Sequence, residues 1–277
     1  MTAVLPPPSR GVSRLRFEGD APAEGFREVP EETPIALVHD AVTTAVMMAT
    51  PADLEDLAWG FTLTEGLVSG KAQIRSVEIV PVALGVEARV WLDHAAGTAL
   101  TTRRRALTGV TGCGLCGIES LEAATRPSAR VGKQVRVSPA QLQEALDALE
   151  KAQTLGAATR AVHAAAWWAP GEGLVAIRED VGRHNALDKL IGALARADRP
   201  ADGVLVLTSR VSVEMVQKAT AFGAEILVAV SVPTALAVRT AQAAGQTLIA
   251  VARQDAFEVF THPDRLFDGT DNWFLTR

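Results

Sequence analysis

The sequence predicts an α/β protein, with a mixed α+β region in its N-terminal part and an α/β sheet core in its C-terminal part. A chain of 277 residues, 48% hydrophobic and 21% charged, can bury a sizeable core and has an ordinary globular composition. From residue 174 onward, apolar strand-like runs alternate with amphipathic stretches, which is typical of a parallel α/β half. We therefore divide the chain into a lead-in over 1–25, a mixed region over 26–160 and an α/β region over 161–277.

The first elements follow a lead-in that we predict to be flexible. Residues 1–25 are rich in Pro, Gly, Ser and charge, and they lack a sustained hydrophobic period. Next, Ile35–Val38 and Val42–Ala49 are apolar or β-branched runs on either side of the turn pair His39-Asp40. This pattern indicates a β-hairpin.

A helix is predicted directly after that hairpin. Thr50 can cap it, Pro51 suits its first position, Asp53 lies in the positive first turn, and Gly66 would end it. Its apolar face would consist of Leu54, Leu57, Ala58 and Phe61.

Two strands and a second helix complete the mixed region. Ile74–Val80 and Val86–Leu92 have the composition and alternation of strands. Ser138 and Gln141 have the spacing of a capping box, which predicts a helix start. The apolar stripe of that helix would be Leu142, Ala145, Leu146 and Leu149.

The C-terminal region is predicted to contain four strands and three helices in alternation. The strands are Leu174–Ile177, Val204–Thr208, Ile226–Val230 and Leu248–Ala252. The helices are Asn185–Ala195, Ser212–Phe222 and Thr234–Ala244. Gly223 and Gly245 follow two of these helices, where a left-handed residue commonly ends a helix.

Charge and hydropathy exclude several classes of protein. The formal net charge of −5 provides no general positive field for nucleic acid or an anionic membrane surface. The longest strongly apolar stretch without a charge, Ile226–Val238, is too short to span a bilayer. Three prolines occupy the N-terminus where a signal peptide would need its apolar segment, so we expect a cytosolic protein.

The two cysteines, Cys113 and Cys116, lie in a segment that contains four glycines. Such a segment favours a loop that presents its thiols rather than packing them. The nearby Arg103–Arg105 run would favour the nucleophilic thiolate by its positive charge, so we interpret the pair as reactive sulfur. Half of a structural zinc site and a dithiol redox couple remain the alternatives.

His163 suggests a comparison with zinc deaminases, which pair a His-x-Glu motif with a later Pro-Cys-x-x-Cys. Ala165 replaces the required glutamate, and the cysteines precede the histidine, so deaminase chemistry is not expected. A buried structural histidine remains at least as good an interpretation of His163.

A second concentration of polar residues follows the first strand of the α/β region, in the segment EDVGRHNALDK that contains Arg183 and His184. In open α/β sheets, ligands bind beyond the carboxyl ends of the strands, and helix N-termini there attract phosphate. The same edge should carry Ser209, Arg210, Ser231 and residues 251–256, which would suit a nucleotide-sized anion. Alternatively, Asp180, Arg183 and Asp188 only cap the helix or form surface ion pairs.

Together these motifs resemble the FdhD family of formate dehydrogenase accessory sulfurtransferases. The matching stretches run from about Glu31 to Leu266 in the family's order. They are VMMATPADLEDLAWGFTLTEGL, RRRALTGVTGCGLCGIESLE, HAAAW, EDVGRHNALDKLIG, LTSRVSVEMVQKA and VFTHPDRL.

The resemblance implies a sulfur carrier with a cytidine-deaminase-like α/β core. A cysteine desulfurase would deliver sulfane sulfur to Cys113, with Cys116 as its neighbour, and the protein would pass it to the molybdenum bis(guanine dinucleotide) cofactor of formate dehydrogenase. The cofactor would be a bound substrate that GDP can mimic, with no permanently bound metal, and the protein would be a homodimer. The segment implied to bind the cofactor consists of Val251, Ala252, Arg253, Gln254, Asp255 and Ala256, and we add Arg183 from the sheet-edge argument.

Two other functions stay open on the sequence. A nonenzymatic cofactor-binding chaperone would use the cysteines only to dock or to bind metal, and it would form no sulfur adduct. A dithiol oxidoreductase would form a reversible disulfide between Cys113 and Cys116.

Overall fold

The computed structural model describes residues 4–98, 100, 128–253 and 255–267, and these residues form three β-sheets with helices packed between and around them. The strands are β1 (Ser9–Glu18), β2 (Ala21–Pro30), β3 (Thr33–His39), β4 (Val42–Ala49), β5 (Ile74–Val82), β6 (Gly85–Leu92), β7 (His163–Ala169), β8 (Gly173–Asp180), β9 (Val204–Leu207), β10 (Ile226–Ala229), β11 (Thr247–Ala250) and β12 (Glu258–Thr261). The main helices are α1 (Leu54–Thr64), α2 (Pro139–Ala152), α3 (Thr154–Thr159), α4 (Arg183–Arg196), α5 (Val213–Phe222) and α6 (Ala235–Ala244). Within the described residues, no helix is both long enough and apolar enough to cross a membrane.

The N-terminal segment forms an antiparallel hairpin, so the expectation of a flexible lead-in without a sustained period is wrong for this part of residues 1–25. Strands β1 and β2 pair over their full lengths, from Ser9 opposite Pro30 to Glu18 opposite Ala21. A two-residue loop joins them, with Gly19 at a φ of 61°. Such short loops favour a glycine with positive φ. Cross-strand pairing, which composition does not reveal, orders this segment.

The second sheet has the strand order β4-β3-β6-β5, and it confirms the predicted hairpin and the next two strands. The turn itself consists of Asp40 and Ala41, both at positive φ, so His39 belongs to β3. His39 is fully buried, and its ring nitrogens each lie 2.9 Å from a threonine hydroxyl, of Thr44 and Thr62. Helix α1 packs against one face of this sheet through Leu57 and its apolar neighbours.

The third sheet has the order β12-β11-β10-β9-β7-β8 and is mixed, which corrects the expectation of a parallel half. Strands β9, β10 and β11 are parallel, whereas β7 runs antiparallel to both β8 and β9. No strand was predicted at β7, because HAAAWWA has no alternation of apolar and polar residues. All of its residues from Ala164 to Ala169 are buried, so neither face carries the polar pattern that marks a half-buried strand.

The structure confirms three of the predicted helix ends and corrects the predicted start of α1. Ser138 and Gln141 form the expected capping box of α2, and its predicted stripe is buried. Gly223 and Gly245 end α5 and α6 in the left-handed conformation, as predicted. The prediction for α1 was wrong at its start, because the cap position is Asp53 and Thr50 instead bonds to the third sheet.

Helices α1 and α4 join the two larger sheets at a very close crossing. A Cβ atom at Gly60 would lie 1.7 Å from the carbonyl oxygen of Asp188, and one at Gly192 would lie 1.9 Å from that of Asp56. A side chain does not fit at either position, so the crossing requires both glycines. The contact places α4 against the four-stranded sheet and its helix α1.

Candidate functional site

The predicted polar edge exists at the carboxyl ends of four strands of the six-stranded sheet. Because β8 and β9 are both antiparallel to β7, β8 runs in the same direction as β9, β10 and β11. Their ends therefore lie at one edge of the sheet, as predicted. His163 at the start of β7 joins them there, since it pairs with Asp180 at the end of β8.

Asp180 organises one end of this edge from a fully buried position. Its carboxylate accepts hydrogen bonds from the backbone N–H of Thr50 at 3.0 Å, the N–H of Gly182 at 2.8 Å and the Asn185 amide at 3.0 Å. The ammonium group of Lys189 lies 2.6 Å away and also donates to the Thr50 carbonyl at 2.9 Å. A buried carboxylate needs such partners. These contacts hold the β8–α4 connection against the end of β4.

Asp180 and Asp188 of EDVGRHNALDK are thus buried, so the alternative of surface ion pairs is wrong for these two residues. The alternative of helix capping holds for Asp180, whose carboxylate accepts from the N–H of Gly182 at the start of α4. Asp188 is also buried, 2.9 Å from the ammonium group of Lys218 and 2.7 Å from the hydroxyl of Thr64. Burial raises the pKa of Asp188, and the Lys218 charge opposes that rise. Arg183 and His184 are left to face the edge.

Arg183, His184 and Glu214 form the ionisable group at the first turns of α4 and α5. Nε2 of His184 lies 3.2 Å from a carboxylate oxygen of Glu214, which also accepts a hydrogen bond from the Ser212 hydroxyl at 2.9 Å. Nε of Arg183 is buried without a hydrogen-bond partner among the described residues. The edge therefore offers a cationic group with unused donor capacity beside the N-terminus of α4.

The histidines of the edge are held towards their neutral forms. Burial lowers the pKa of His163 and of His184, and the charge of Arg183 lowers both further. Burial acts to raise the pKa of Glu214, but the Ser212 hydrogen bond and the His184 charge produce a net lowering.

This arrangement predicts a loss of stability on mild acidification. A histidine whose pKa is lower in the folded chain binds fewer protons there than in the unfolded chain, so stability falls as the pH drops below about 6.5. We expect His163→Gln and His184→Gln to reduce the difference between the free energies of unfolding at pH 7.5 and pH 5.5, measured in urea. His94→Gln, at an exposed position, is the control. Equal pH dependence in all the variants would contradict the burial argument.

The segment after β11 lies at the same edge but at a distance from Arg183. Val251 has a φ of 52°, which is unusual for a β-branched residue. The guanidinium of Arg253 turns back to donate to the carbonyls of Val230 and Ala252, while its own carbonyl accepts from Gln143 at 3.0 Å. Four strand spacings separate β11 from β8, or roughly 19 Å. A ligand that spans this edge from the end of β8 to the end of β11 must be extended.

Part of the predicted site lies outside the described residues, namely Cys113, Cys116 and Gln254. Asp255 and Ala256 are described, and Ala256 accepts a backbone hydrogen bond from Arg253 at 2.8 Å. Within residues 4–98, 100, 128–253 and 255–267, no three His, Cys, Asp or Glu side chains are grouped as metal ligands.

Sequence reasoning missed three contributors to the edge, Thr50, Ser212 and Glu214. Ser212 was noted only as a helix start, although a carboxylate two residues later is within reach of its hydroxyl. Thr50 bonds to residues 130 positions away, so no local pattern indicates its role.

The chain is similar in sequence to proteins of one family over most of its length. A family model described as the FdhD/NarQ family matches residues 30–267. A relative from Agrobacterium fabrum, named sulfur carrier protein FdhD, is 49% identical over 259 residues, which cover 93% of this chain and 96% of that protein. A protein of the same name from Bordetella petrii is 46% identical over 269 residues, which cover 94% of this chain and 96% of the relative.

A solved structure also has this fold. It is described as a formate dehydrogenase accessory protein from Desulfotalea psychrophila, and it superimposes with a TM-score of 0.74 at 24% sequence identity. The match covers 94% of this chain and all of the other one.

Proposed function

Since this chain belongs to the FdhD/NarQ family, we propose that it is a sulfur carrier required for formate dehydrogenase activity. It accepts sulfane sulfur from a cysteine desulfurase as a persulfide on Cys113 and transfers that sulfur to the molybdenum bis(guanine dinucleotide) cofactor. The observation that carries the proposal is the family match over residues 30–267, together with relatives named as sulfur carriers at almost half identity over nearly the whole chain.

The loading step needs one nucleophilic thiolate. The Cys113 thiolate attacks the terminal sulfur of the desulfurase persulfide, a new S–S bond forms, and the desulfurase cysteine leaves as a thiolate. Three arginines, Arg103–Arg105, precede the cysteine in the sequence, and positive charge near a thiol favours its ionised form. Cys116 assists release or relay of the sulfur without being its first acceptor.

The cofactor is bound as a substrate at the carboxyl edge of the six-stranded sheet. The N-terminus of α4 and the guanidinium of Arg183 supply donors for phosphate at one end, and residues 251–253, 255 and 256 lie at the other. Strands β8 and β11 lie roughly 19 Å apart along this edge, a length that an extended dinucleotide can span. The negative net charge of the chain does not oppose this binding, because the arginines act locally.

GDP, as a mimic of one guanine dinucleotide arm, is expected to bind this edge. Because a charge-assisted hydrogen bond to phosphate is lost, Arg183→Ala or Arg253→Ala should weaken the binding by about 1–3 kcal/mol in a calorimetric titration. Arg16→Ala removes the same charge from an exposed position on β1 and is the matched control. Cys113→Ser should bind GDP like the wild type. Unchanged affinity in both edge variants, or lost affinity in the cysteine variant, would place the nucleotide elsewhere.

Three further features belong to the same proposal. The C-terminal region over 161–277 is the cofactor-binding part, with a cytidine-deaminase-like core, and the region over 26–160 presents the cysteine loop. The protein acts as a homodimer, and the sulfur exchange takes place in the cytosol.

A deletion strain tests the proposed function. Cells of the source organism that lack this chain should produce formate dehydrogenase polypeptide without formate dehydrogenase activity, and the wild-type chain supplied on a plasmid should restore the activity. Normal activity in the deletion strain would contradict the proposal.

A further inference from the structure

Thr50 follows β4 and is fully buried against the connection between β8 and α4. Each of its three polar groups bonds to that part of the chain. Its N–H donates to the Asp180 carboxylate at 3.0 Å, and its hydroxyl accepts from the N–H of Val181 at 3.1 Å. Its carbonyl accepts from the ammonium group of Lys189 at 2.9 Å. Thr50 therefore joins the end of β4 to the start of α4.

The connection between β8 and α4 consists of Val181 and Gly182 alone. The N–H of Val181 is held by Thr50, and the N–H of Gly182 is held by the Asp180 carboxylate at 2.8 Å. A Cβ atom at Gly182 would lie 2.8 Å from the side-chain nitrogen of Asn185, so there is little free space around the connection. Both of its backbone donors are thus fixed, and its path determines where α4 begins.

The first turn of α4 depends on these bonds for its position. Gly182 occupies the cap position, and no side chain of the described residues caps the helix. The crossing with α1 contacts α4 at Asp188, more than one turn after its start. A helix end without partners for its terminal groups frays. Here the first turn is tied to the end of β4 instead, through Thr50 and through the Asn185 amide, which donates to the Met48 carbonyl at 2.8 Å.

We propose that Thr50 is a positioning residue for Arg183, the first residue of α4. By fixing the β8–α4 connection, Thr50 holds the guanidinium of Arg183 at the carboxyl edge of the six-stranded sheet, beside His163 and His184. This position matters for the proposed function, on which the inference rests, because Arg183 supplies donors for phosphate there.

A buried ion pair in the same cluster argues against a role in stability alone. Asp180 and Lys189 have fully buried side chains, and the carboxylate lies 2.6 Å from the ammonium group. Removing two charges from water offsets much of their attraction, and apolar side chains of similar size often stabilise such a position equally well. What the polar groups add is direction, because Oδ1 of Asp180 accepts from Gly182 and Oδ2 accepts from Thr50.

The two histidines beside Arg183 report its position without any ligand. Burial lowers the pKa of His163 and of His184, and the charge of Arg183 lowers both further. If Arg183 moves away from the edge, both pKa values should therefore rise. The other charged groups that face the two rings are Asp180, Glu214, Lys218 and, for His163, the ring of His184.

A proton NMR titration of the histidine C2 protons in the full chain tests the positioning. Thr50→Val keeps the size of threonine but removes the acceptor of the Val181 N–H, so the connection should move and the pKa of His163 and of His184 should rise. Thr50→Ser keeps the hydroxyl and should give wild-type values. Thr62→Val removes a buried hydroxyl from α1 and is the matched control, with wild-type values expected.

Two results would overturn the inference. One is wild-type pKa values for both histidines in Thr50→Val. The other is an equal rise in Thr50→Ser or in Thr62→Val, which would show that the hydroxyl of Thr50 has no particular role. Thr50→Ala removes the same acceptor without adding a methyl group, and it replaces Thr50→Val in this comparison if the valine variant does not fold.

Calorimetric titration with GDP separates this inference from the proposed function. If Arg183 binds phosphate, Thr50→Val should also raise the GDP dissociation constant, by about fivefold or more. A rise in the two histidine pKa values together with wild-type GDP affinity, or with no GDP binding by the wild type, would support Thr50 as the positioning residue and contradict the proposed nucleotide site. Wild-type histidine pKa values in Thr50→Val would overturn the inference even if the wild type binds GDP.

Discussion

Replacing Cys113 with serine is expected to abolish both persulfide loading and formate dehydrogenase activation. A serine hydroxyl is not ionised near neutral pH and forms no persulfide, so the first S–S bond of the transfer cannot form. The free energy of unfolding should change by no more than about 0.5 kcal/mol, since a thiol among glycines contributes little to a core. Loading is measured on the purified protein, and activation is measured as formate dehydrogenase activity in the complemented deletion strain.

Cys116→Ser is the matched control for this experiment. It removes the same atom three residues away and should impair activation less severely, because Cys116 is not the first acceptor. Normal activation by Cys113→Ser would show that another group carries the sulfur. Equal abolition of loading by both variants would show that the two thiols act as a unit.

Replacing Gly60 with alanine is expected to have the largest effect on stability. The new methyl group would overlap the Asp188 carbonyl oxygen, 1.7 Å from the ideal Cβ position, and backbone atoms cannot rotate away. Overpacking of this kind costs about 1–3 kcal/mol or more, against a gain of about 1 kcal/mol in helix propensity. Urea unfolding should therefore show a clear net loss of stability, because α1 and α4 must separate.

Gly70→Ala controls for the general effect of removing a glycine. A Cβ atom there meets no heavy atom within 4 Å, and the backbone is extended with a φ of −176°. If Gly60→Ala were as stable as Gly70→Ala, the close helix crossing would not be a constraint on this fold.

Local signals in the sequence predicted the features that depend on residues close together in the chain. The capping box at Ser138 and the left-handed glycines Gly223 and Gly245 depend on residues within one turn of a helix, and all three were predicted. The hairpin of β1 and β2 was not predicted, because it is held by pairing between two strands whose side chains are exposed on both faces. Such strands show no pattern of hydrophobic residues. Strand β7 was missed because a strand buried on both faces shows no alternation.

In the candidate site, the positions that follow from strand order were predicted, and the contacts between residues distant in sequence were not. Topology was enough to place Arg183 and residues 251–253 at one edge, since parallel crossovers bring strand ends together. The buried partners of Asp180 could not be predicted, because Thr50 and Lys189 reach it from different parts of the chain. The positive φ of Val251 was equally hidden, since a β-branched residue rarely adopts it.

The intact mass of the purified chain, after incubation with a cysteine desulfurase and cysteine, tests the sulfur-carrier proposal most directly. We expect an increment of about 32 Da, one sulfur atom, on the wild type and on Cys116→Ser, none on Cys113→Ser, and removal of the increment by a thiol reductant. A cofactor-binding chaperone would gain no mass, and a dithiol oxidoreductase would instead lose about 2 Da as Cys113 and Cys116 join. A wild-type chain that acquires no sulfur under conditions in which the desulfurase is itself persulfidated would contradict the proposed function.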